Sequence, residues 1–263
     1  MPDNATADYA NWMPKGMLVG AAVRTGVLLV ADAAAHVAFG RFHPLSTALT
    51  VGTALGAVTT AYFYALRKAF DYNGKRQVSR RIIEGIADYV TIPDGGTGLD
   101  VGCGSGALAI ACAKRNPNAE MVGCDIWDGA YKGTFSQAGC ERNAKTEGVS
   151  NVRFEHGDAM KLPFADESFD AVTSNYVYHN VMGHDRQELL LETLRVLKKG
   201  GTFALHDLMS PMRYGDMEAF ARKLKAQGFE DVRVIDTTDG AFMTRAEAML
   251  LGLGSSKLLV GRK

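Results

Sequence analysis

The chain lacks any excess of charge. Its 263 residues hold 29 Lys and Arg against 29 Asp and Glu, a balance that excludes a protein whose main work is neutralising phosphates. Proline is scarce, 7 residues against 29 glycines, so tight turns outnumber rigid linkers. Cysteine is scarcer still: Cys103, Cys112, Cys124 and Cys140. No pair has C-x-x-C spacing and none stands in a His-ligand pattern, which leaves no expected metal site and no disulfide framework; free thiols suit a reducing compartment. With 47% hydrophobic and 22% charged residues, global disorder is also excluded.

Charge is missing most completely from Phe42 to Leu66, where there is none. Residues 1–66 carry only Asp3, Asp8, Lys15, Arg24, Asp32 and Arg41, whereas residues 67–81 hold Arg67, Lys68, Lys75, Arg76, Arg80 and Arg81 against Asp71. This divides the chain into an N-terminal apolar helical hairpin (1–66), a basic linker or capping helix (67–81) and a soluble domain (82–263). Leu45–Leu66 as a helix is about 33 Å long, enough for a hydrocarbon core of ~30 Å. It contains Gly52-Thr-Ala-Leu-Gly56, a spacing that lets helices approach closely, and ends at Tyr62 and Tyr64 before Arg67-Lys68, an interfacial pattern. Met17–Phe39 is apolar apart from Arg24, Asp32 and His36, and Gly40-Arg-Phe-His-Pro44 joins the two segments. Two readings stand. In one the hairpin anchors the chain in a membrane, with the basic stretch keeping the C-terminal domain cytoplasmic. In the other, two helices pack on protein, either the soluble domain or a second copy of the chain. The N-terminal dozen residues are acidic and carry no signal-peptide pattern.

From residue 98 onward strand and helix patterns alternate. Strands are expected at Gly98–Gly102, Glu120–Cys124, Asn151–Glu155, Phe169–Ser174, Thr202–Leu208, Asp231–Ile235 and Lys257–Val260; helices at Ala107–Lys114, Gln137–Thr146, Asp185–Lys199, which Gly200-Gly201 should end, and Met217–Gln227. The alternation predicts an α/β fold, a Rossmann-like seven-stranded, mostly parallel sheet with helices on both faces, preceded by the hairpin. Ligands then sit beyond the carboxyl ends of the strands. There the first strand runs into Leu99-Asp-Val-Gly-Cys-Gly-Ser-Gly106, a turn tight enough to bring backbone against a ligand. Gly102-x-Gly104-x-x-Ala107 also fits a dinucleotide fingerprint, so the turn alone leaves an NAD-linked oxidoreductase open.

The ordered motifs decide further. LDVGCGSG resembles motif I of the class I S-adenosylmethionine-dependent methyltransferases, and Gly157-Asp-Ala-Met160 with the following LPFxDxSFD resembles the quinone and sterol methyltransferase branch. The resemblance implies S-adenosyl-L-methionine as cofactor. It implies that Asp100, Gly102, Cys103, Gly104 and Gly106 cradle its methionine end, that Asp125 takes the ribose hydroxyls, that Ile126 and Trp127 flank adenine, and that Asp158 and Ala159 meet the adenine edge. Asn175 and Tyr176 match the position near the methyl group, and Tyr72 and Asn73 match an N-terminal cap over the cofactor. His179 and His206 are the candidate bases, since imidazole titrates near neutral pH; a structural role is the other reading for each. His184 reads as a helix-entry residue. SNYVYHN lacks the N/D-P-P-Y/F pattern of base and glutamine methylation, and no basic stripe with interleaved aromatics marks a nucleic-acid partner. The expected acceptor is a small lipophilic quinone, phenol, thiol or lipid. A non-catalytic S-adenosylmethionine-binding membrane protein is the remaining alternative. Thr244–Leu253 is expected to line the acceptor pocket or a contact with a second copy.

Overall fold

The computed structural model describes residues 6–128 and 134–263; the first five residues of the expected 1–66 segment lie outside it. The chain folds as two compact units, Asn11–Arg80 and Arg81–Lys263 with the residues up to Ala10.

In the first unit α1 (Lys15–Phe39) and α2 (Pro44–Ala69) pack as an antiparallel pair. Gly40 ends α1 with φ +83°, a conformation glycine adopts without strain. His43 caps α2: its Nδ1 accepts the Leu45 N–H at 3.2 Å, and Pro44 takes the first helical position. The helix outruns the uncharged stretch that ends at Leu66: α2 continues to Ala69 and carries Arg67 and Lys68 in its last turn, where cations complement the helix dipole. What faces inward between the helices is small and polar. Thr25 Oγ1 lies 3.1 Å from Thr60 Oγ1, the Thr50 hydroxyl donates to Asp32 Oδ1 at 2.8 Å, and His36 Nδ1 is 3.0 Å from Asp32 Oδ1. A Cβ on Gly56 would stand 2.7 Å from Thr25 Oγ1, so half of the G-x-x-x-G spacing is used within the hairpin; one on Gly52 would meet Leu28 only at 3.9 Å. The outer faces are apolar and exposed, among them Val27, Val30, Val37, Leu55 and Val58. By length and composition both helices are sufficient to cross a membrane, and only 6% of the most apolar stretch of each is buried.

Helix α3 (Val78–Ala87) leads into the second unit, the expected α/β sheet. Strands β1 (Thr97–Val101), β2 (Glu120–Asp125), β3 (Val152–His156), β4 (Phe169–Asn175), β5 (Leu197–Leu208), β6 (Glu230–Asp236) and β7 (Ser256–Arg262) line up as β3-β2-β1-β4-β5-β7-β6. The first five run parallel; β7 inserts antiparallel between β5 and β6. Strand order reverses between β1 and β4. Crossovers of fixed right hand therefore put α4 (Ala107–Arg115) and α5 (Gln137–Thr146), which touch each other, on one face and α6 (Arg186–Arg195) on the other. The core lies under these helices, with Leu99, Val101, Val122, Val172, Leu190, Leu197 and Leu205 fully buried. Runs buried on both faces are what a parallel sheet requires.

One helix is shorter than its periodicity predicts. The expected Asp185–Lys199 helix ends at Arg195, with Asp185 as its cap, its side chain accepting the Gln187 N–H. Leu197 already pairs with Phe169 in β5, and Gly200-Gly201, expected to stop the helix, lie inside the strand. Gly200 has φ +78° and sits beside a register shift opposite Phe169/Ala171, so the glycine pair makes a bulge rather than a helix stop. After β5 come α7 (Pro211–Tyr214) and α8 (Met217–Ala226). Thr244–Leu253 forms α9 (Arg245–Leu250), which buries Ala248 and leaves Met249 and Leu250 exposed.

Candidate functional site

The five parallel strands carry the candidate residues at or just beyond their carboxyl ends. At the end of β1 the glycine turn has φ of +69° at Gly102, +55° at Gly104 and +81° at Gly106. A Cβ on Gly102 would stand 2.3 Å from Val177 Cγ2, so the turn after β4 lies directly against the glycine turn. Gly104 makes no such close contact: Phe135, at 3.6 Å, is the nearest side chain its Cβ would meet. There the positive φ and the open space, rather than crowding, call for glycine.

Asp100 is 1% exposed. Its Oδ1 accepts from the Thr173 hydroxyl at 2.9 Å, while Oδ2, also buried, has no hydrogen-bond partner. Burial pushes its carboxyl up to about 7 against the opposing pull of Thr173. A buried acceptor left without a donor costs about 1–3 kcal/mol; a cationic or N–H-bearing ligand would remove that cost. Cys103 lies 8% exposed in the turn, and burial together with Cys140 and the nearby Asp100 and Asp125 drives its thiol well up, which suits a small turn residue and not a thiolate nucleophile.

At the end of β2, Asp125 ties the turn in place: Oδ2 accepts the Gly104 N–H at 2.9 Å and Oδ1 the Trp127 N–H at 2.7 Å. Each oxygen retains acceptor capacity. The Trp127 indole N–H donates to Gly104 O at 3.0 Å, so the ring lies over the turn, and its backbone has φ +43°. Ile126 beside it is 44% exposed. The segment after β3 joins through Gly157 N–H to Asp125 O at 3.1 Å. Asp158, half-buried, accepts the Met160 N–H at 2.8 Å, and Ala159 packs on the core.

The ends of β4 and β5 carry the titratable groups. Tyr176 stands at φ +56°, a strained setting for an aromatic residue and of the kind that gathers at functional sites. Its hydroxyl is 2.6 Å from Ser256 Oγ, and burial pushes its phenol up. His206 is fully buried, with Nδ1 2.8 Å from Asn175 Oδ1 and Nε2 3.0 Å from Thr237 Oγ1; burial drives its imidazole down to about 3. Both of its nitrogens are taken within the protein, so its geometry is that of a neutral histidine orienting Asn175. His179, on a 3₁₀ turn (Tyr178–Asn180), is 17% exposed in its side chain and places Nδ1 2.6 Å from Oδ1 of the fully buried Asp207. Asp207 is the group the sequence reading did not single out. Its signal was its place beside His206 at the end of an expected strand; the partner, 28 residues away, was not.

Tyr72 and Asn73 belong to the other unit. There the Arg80 guanidinium lies 5.8 Å over the Tyr72 ring, and the Asn73 N–H donates to Asp71 Oδ1 at 3.2 Å. Among the described residues no three His, Cys, Asp or Glu side chains gather as a metal site.

Residues 99–205 match the family described as a methyltransferase domain. The matched stretch runs from β1 into β5 and takes in the glycine turn, Asp125 and Asp158. The curated relatives it resembles are quinone enzymes by their names. A demethylmenaquinone methyltransferase of Geobacillus kaustophilus is 35% identical over 133 residues, covering 50% of this chain and 53% of that protein. One of Staphylococcus aureus is 40% identical over 114 residues, 43% of each chain. The chain thus spans about half the length of the curated relatives it matches. Among solved structures, a geranyl diphosphate C-methyltransferase from Streptomyces coelicolor A3(2) superposes with TM-score 0.51 at 16% identity, over 74% of this chain and 86% of that one. The cyclase SpnF does so with TM-score 0.52 at 22% identity, over 73% and 84%. These two likenesses speak for the fold alone.

Proposed function

We propose that the chain binds S-adenosylmethionine at the glycine turn and methylates a small lipophilic acceptor of the quinol type, working from a membrane to which the α1–α2 hairpin anchors it. The observation that carries the reading is the joint between Asp125 and Gly104. It holds the glycine turn of β1, the acid of β2 and the indole of Trp127 as one preformed cradle beside an unpartnered Asp100 carboxyl oxygen. In this reading Asp100 and the backbone of Gly102, Cys103, Gly104 and Gly106 hold the methionine end. Asp125 receives the ribose hydroxyls, Ile126 and Trp127 flank adenine, and Asp158 and Ala159 meet its edge. Asn175 and Tyr176 stand nearest the methyl group.

The cofactor supplies an activated methyl group on a sulfonium. The chain's own work is to orient the acceptor atom in line with it and to exclude water, which contributes on the order of 7–11 kcal/mol. Tyr176 with the His206 ring 4.7 Å away, and Phe242 packed on His206 in turn, suit a flat apolar acceptor. The relatives named above act on demethylmenaquinone by their names, and this supports an acceptor of that class. Helices with polar contacts inside and apolar faces outside support the membrane anchor, which would concentrate such an acceptor at the bilayer.

Calorimetry of the full-length protein in detergent tests the cofactor. S-adenosylhomocysteine should bind at micromolar affinity while NADH does not; the reverse would replace the methyltransferase with an oxidoreductase. Transfer of labelled methyl to a reduced demethylnaphthoquinol tests the acceptor class. A full-length protein found in the high-speed supernatant without detergent would remove the anchor.

A further inference from the structure

We infer that His179 is the catalytic base that takes a proton from the methyl acceptor, and that Asp207 is the positioning residue that makes it one. The inference rests on the methyl-transfer reading and narrows its acceptor. Asp207 is fully buried at the end of β5. Its Oδ2 accepts the backbone N–H groups of Tyr178, at 2.8 Å, and His179, at 3.2 Å, and its Oδ1 that of Leu208, at 2.6 Å. A carboxylate pinned by three amides cannot turn away from the imidazole, whose Nδ1 lies 2.6 Å off. Since this oxygen can only accept, Nδ1 carries the proton and the lone pair of the neutral ring is at Nε2. No hydrogen bond engages Nε2 among the described residues, and the side chain is open to the outside. A histidine fixed by a buried acid on one nitrogen and available on the other is the arrangement that proton abstraction needs.

The position is right as well. Val177, two residues before His179, fills the space where a Cβ of Gly102 would lie, so the turn that bears the base is packed on the turn that holds the cofactor. The groups facing the pair are few. The Tyr176 ring stands edge-on to the His179 ring at 6.1 Å. The Tyr214 hydroxyl is buried beside Asp207 and is driven up by burial first and by that acid next. The Tyr178 hydroxyl, also buried, is 2.6 Å from Thr193 Oγ1. His206 keeps both nitrogens occupied.

The chemistry follows. The acceptor atom forms a bond to the methyl carbon as the sulfur–methyl bond breaks, and the sulfur keeps that electron pair. The proton the acceptor loses passes to His179 Nε2 and then to solvent. No oxidant is required. The acceptor is therefore one that must release a proton on methylation, such as a hydroquinone-type phenol or the ring carbon it activates. A tertiary amine or thioether, which has no proton to give, is excluded.

The test uses full-length protein in detergent, S-adenosylhomocysteine as the binding probe and a reduced demethylnaphthoquinol as acceptor. His179→Gln should lower kcat by about a hundredfold or more and leave S-adenosylhomocysteine affinity within about twofold, while H184A leaves both unchanged. Asp207→Asn should lower kcat and alter the rise of kcat with pH. In histidine-labelled protein, proton NMR should show a strongly downfield imidazole N–H signal that disappears in both His179→Gln and Asp207→Asn. Wild-type turnover and pH profile in His179→Gln, or absence of that signal from the wild type, would overturn the inference while leaving the cofactor reading intact. A wild type that fails to bind S-adenosylhomocysteine would overturn both.

Discussion

The hairpin and the sheet domain solve opposite packing problems with overlapping residues. In the sheet domain leucine and valine are buried and the charges face out, as water demands. In the hairpin valines and leucines face out while Thr25, Thr60, Asp32 and Thr50 face one another. A polar seam with apolar flanks is stable where the surroundings are apolar and a lone hydroxyl has nowhere else to donate. Glycine shows the same division. Gly102 is required by its φ and by a side chain pressed on it, Gly56 only by the neighbour facing it.

The largest effect should come from the glycine that has both constraints. Gly102→Ala must adopt φ +69° and drive its Cβ into Val177 at 2.3 Å. The backbone strain costs roughly 1–2 kcal/mol and the overpacking roughly 1–3 kcal/mol. A fall in Tm of roughly 5–15 °C by scanning calorimetry, with loss of S-adenosylhomocysteine binding, is the expected outcome. A variant as stable as the wild type would mean that the two turns are not packed together.

The hairpin glycines sharpen the contrast. Gly56→Leu should push the helices apart, because Thr25 Oγ1, 2.7 Å away, is already bonded to Ala21 O and Thr60 Oγ1. The loss should be about 1–2 kcal/mol. Gly52→Ala, with only Leu28 at 3.9 Å, should change nothing. Distances between spin labels at the exposed positions Leu29 and Leu55 would widen in the first variant and hold in the second. Equal effects at both positions would show that the spacing binds another helix instead of α1.

Much of this was legible in the sequence, and the residues say why. Short apolar runs marked β1, β2 and β4, the first two followed by glycine or an acid, since local composition reports a buried strand directly. The glycine turn of β1 and the acid that ends β2 were legible as places in the fold because each follows directly on its own strand. Gly200-Gly201 misled because a glycine pair ends a helix or bulges a strand with equal ease, and only the pairing of Leu197 with Phe169 decides. The antiparallel β7 left no local sign, because strand direction is set by where the chain returns. Asp207 was hidden for a similar reason: a carboxylate acquires its meaning from the imidazole that folding brings to it.

The smallest effect is one expected to cancel. Asp100 is raised by burial from 3.8 to about 7 and His206 lowered by burial from 6.5 to about 3. Between about pH 4 and 6.5 the folded Asp100 holds a proton that the unfolded chain has released. Its contribution to stability is therefore full below the unfolded value and declines as pH rises through the folded one. In the same window the unfolded chain protonates His206 and the folded protein does not, so that contribution is present above 6.5 and lost as pH falls toward 3. Each slope is roughly 1.4 kcal/mol per pH unit, and the signs are opposite, so the two offset each other in the wild type. Asp100→Asn should leave stability rising more steeply with pH than the wild type, and His206→Gln should leave it falling, by chemical denaturation of ligand-free protein at several pH values. Parallel wild-type and Asp100→Asn curves would mean that Asp100 is ionised in the fold, and the orphaned oxygen would then need another account than a cationic ligand.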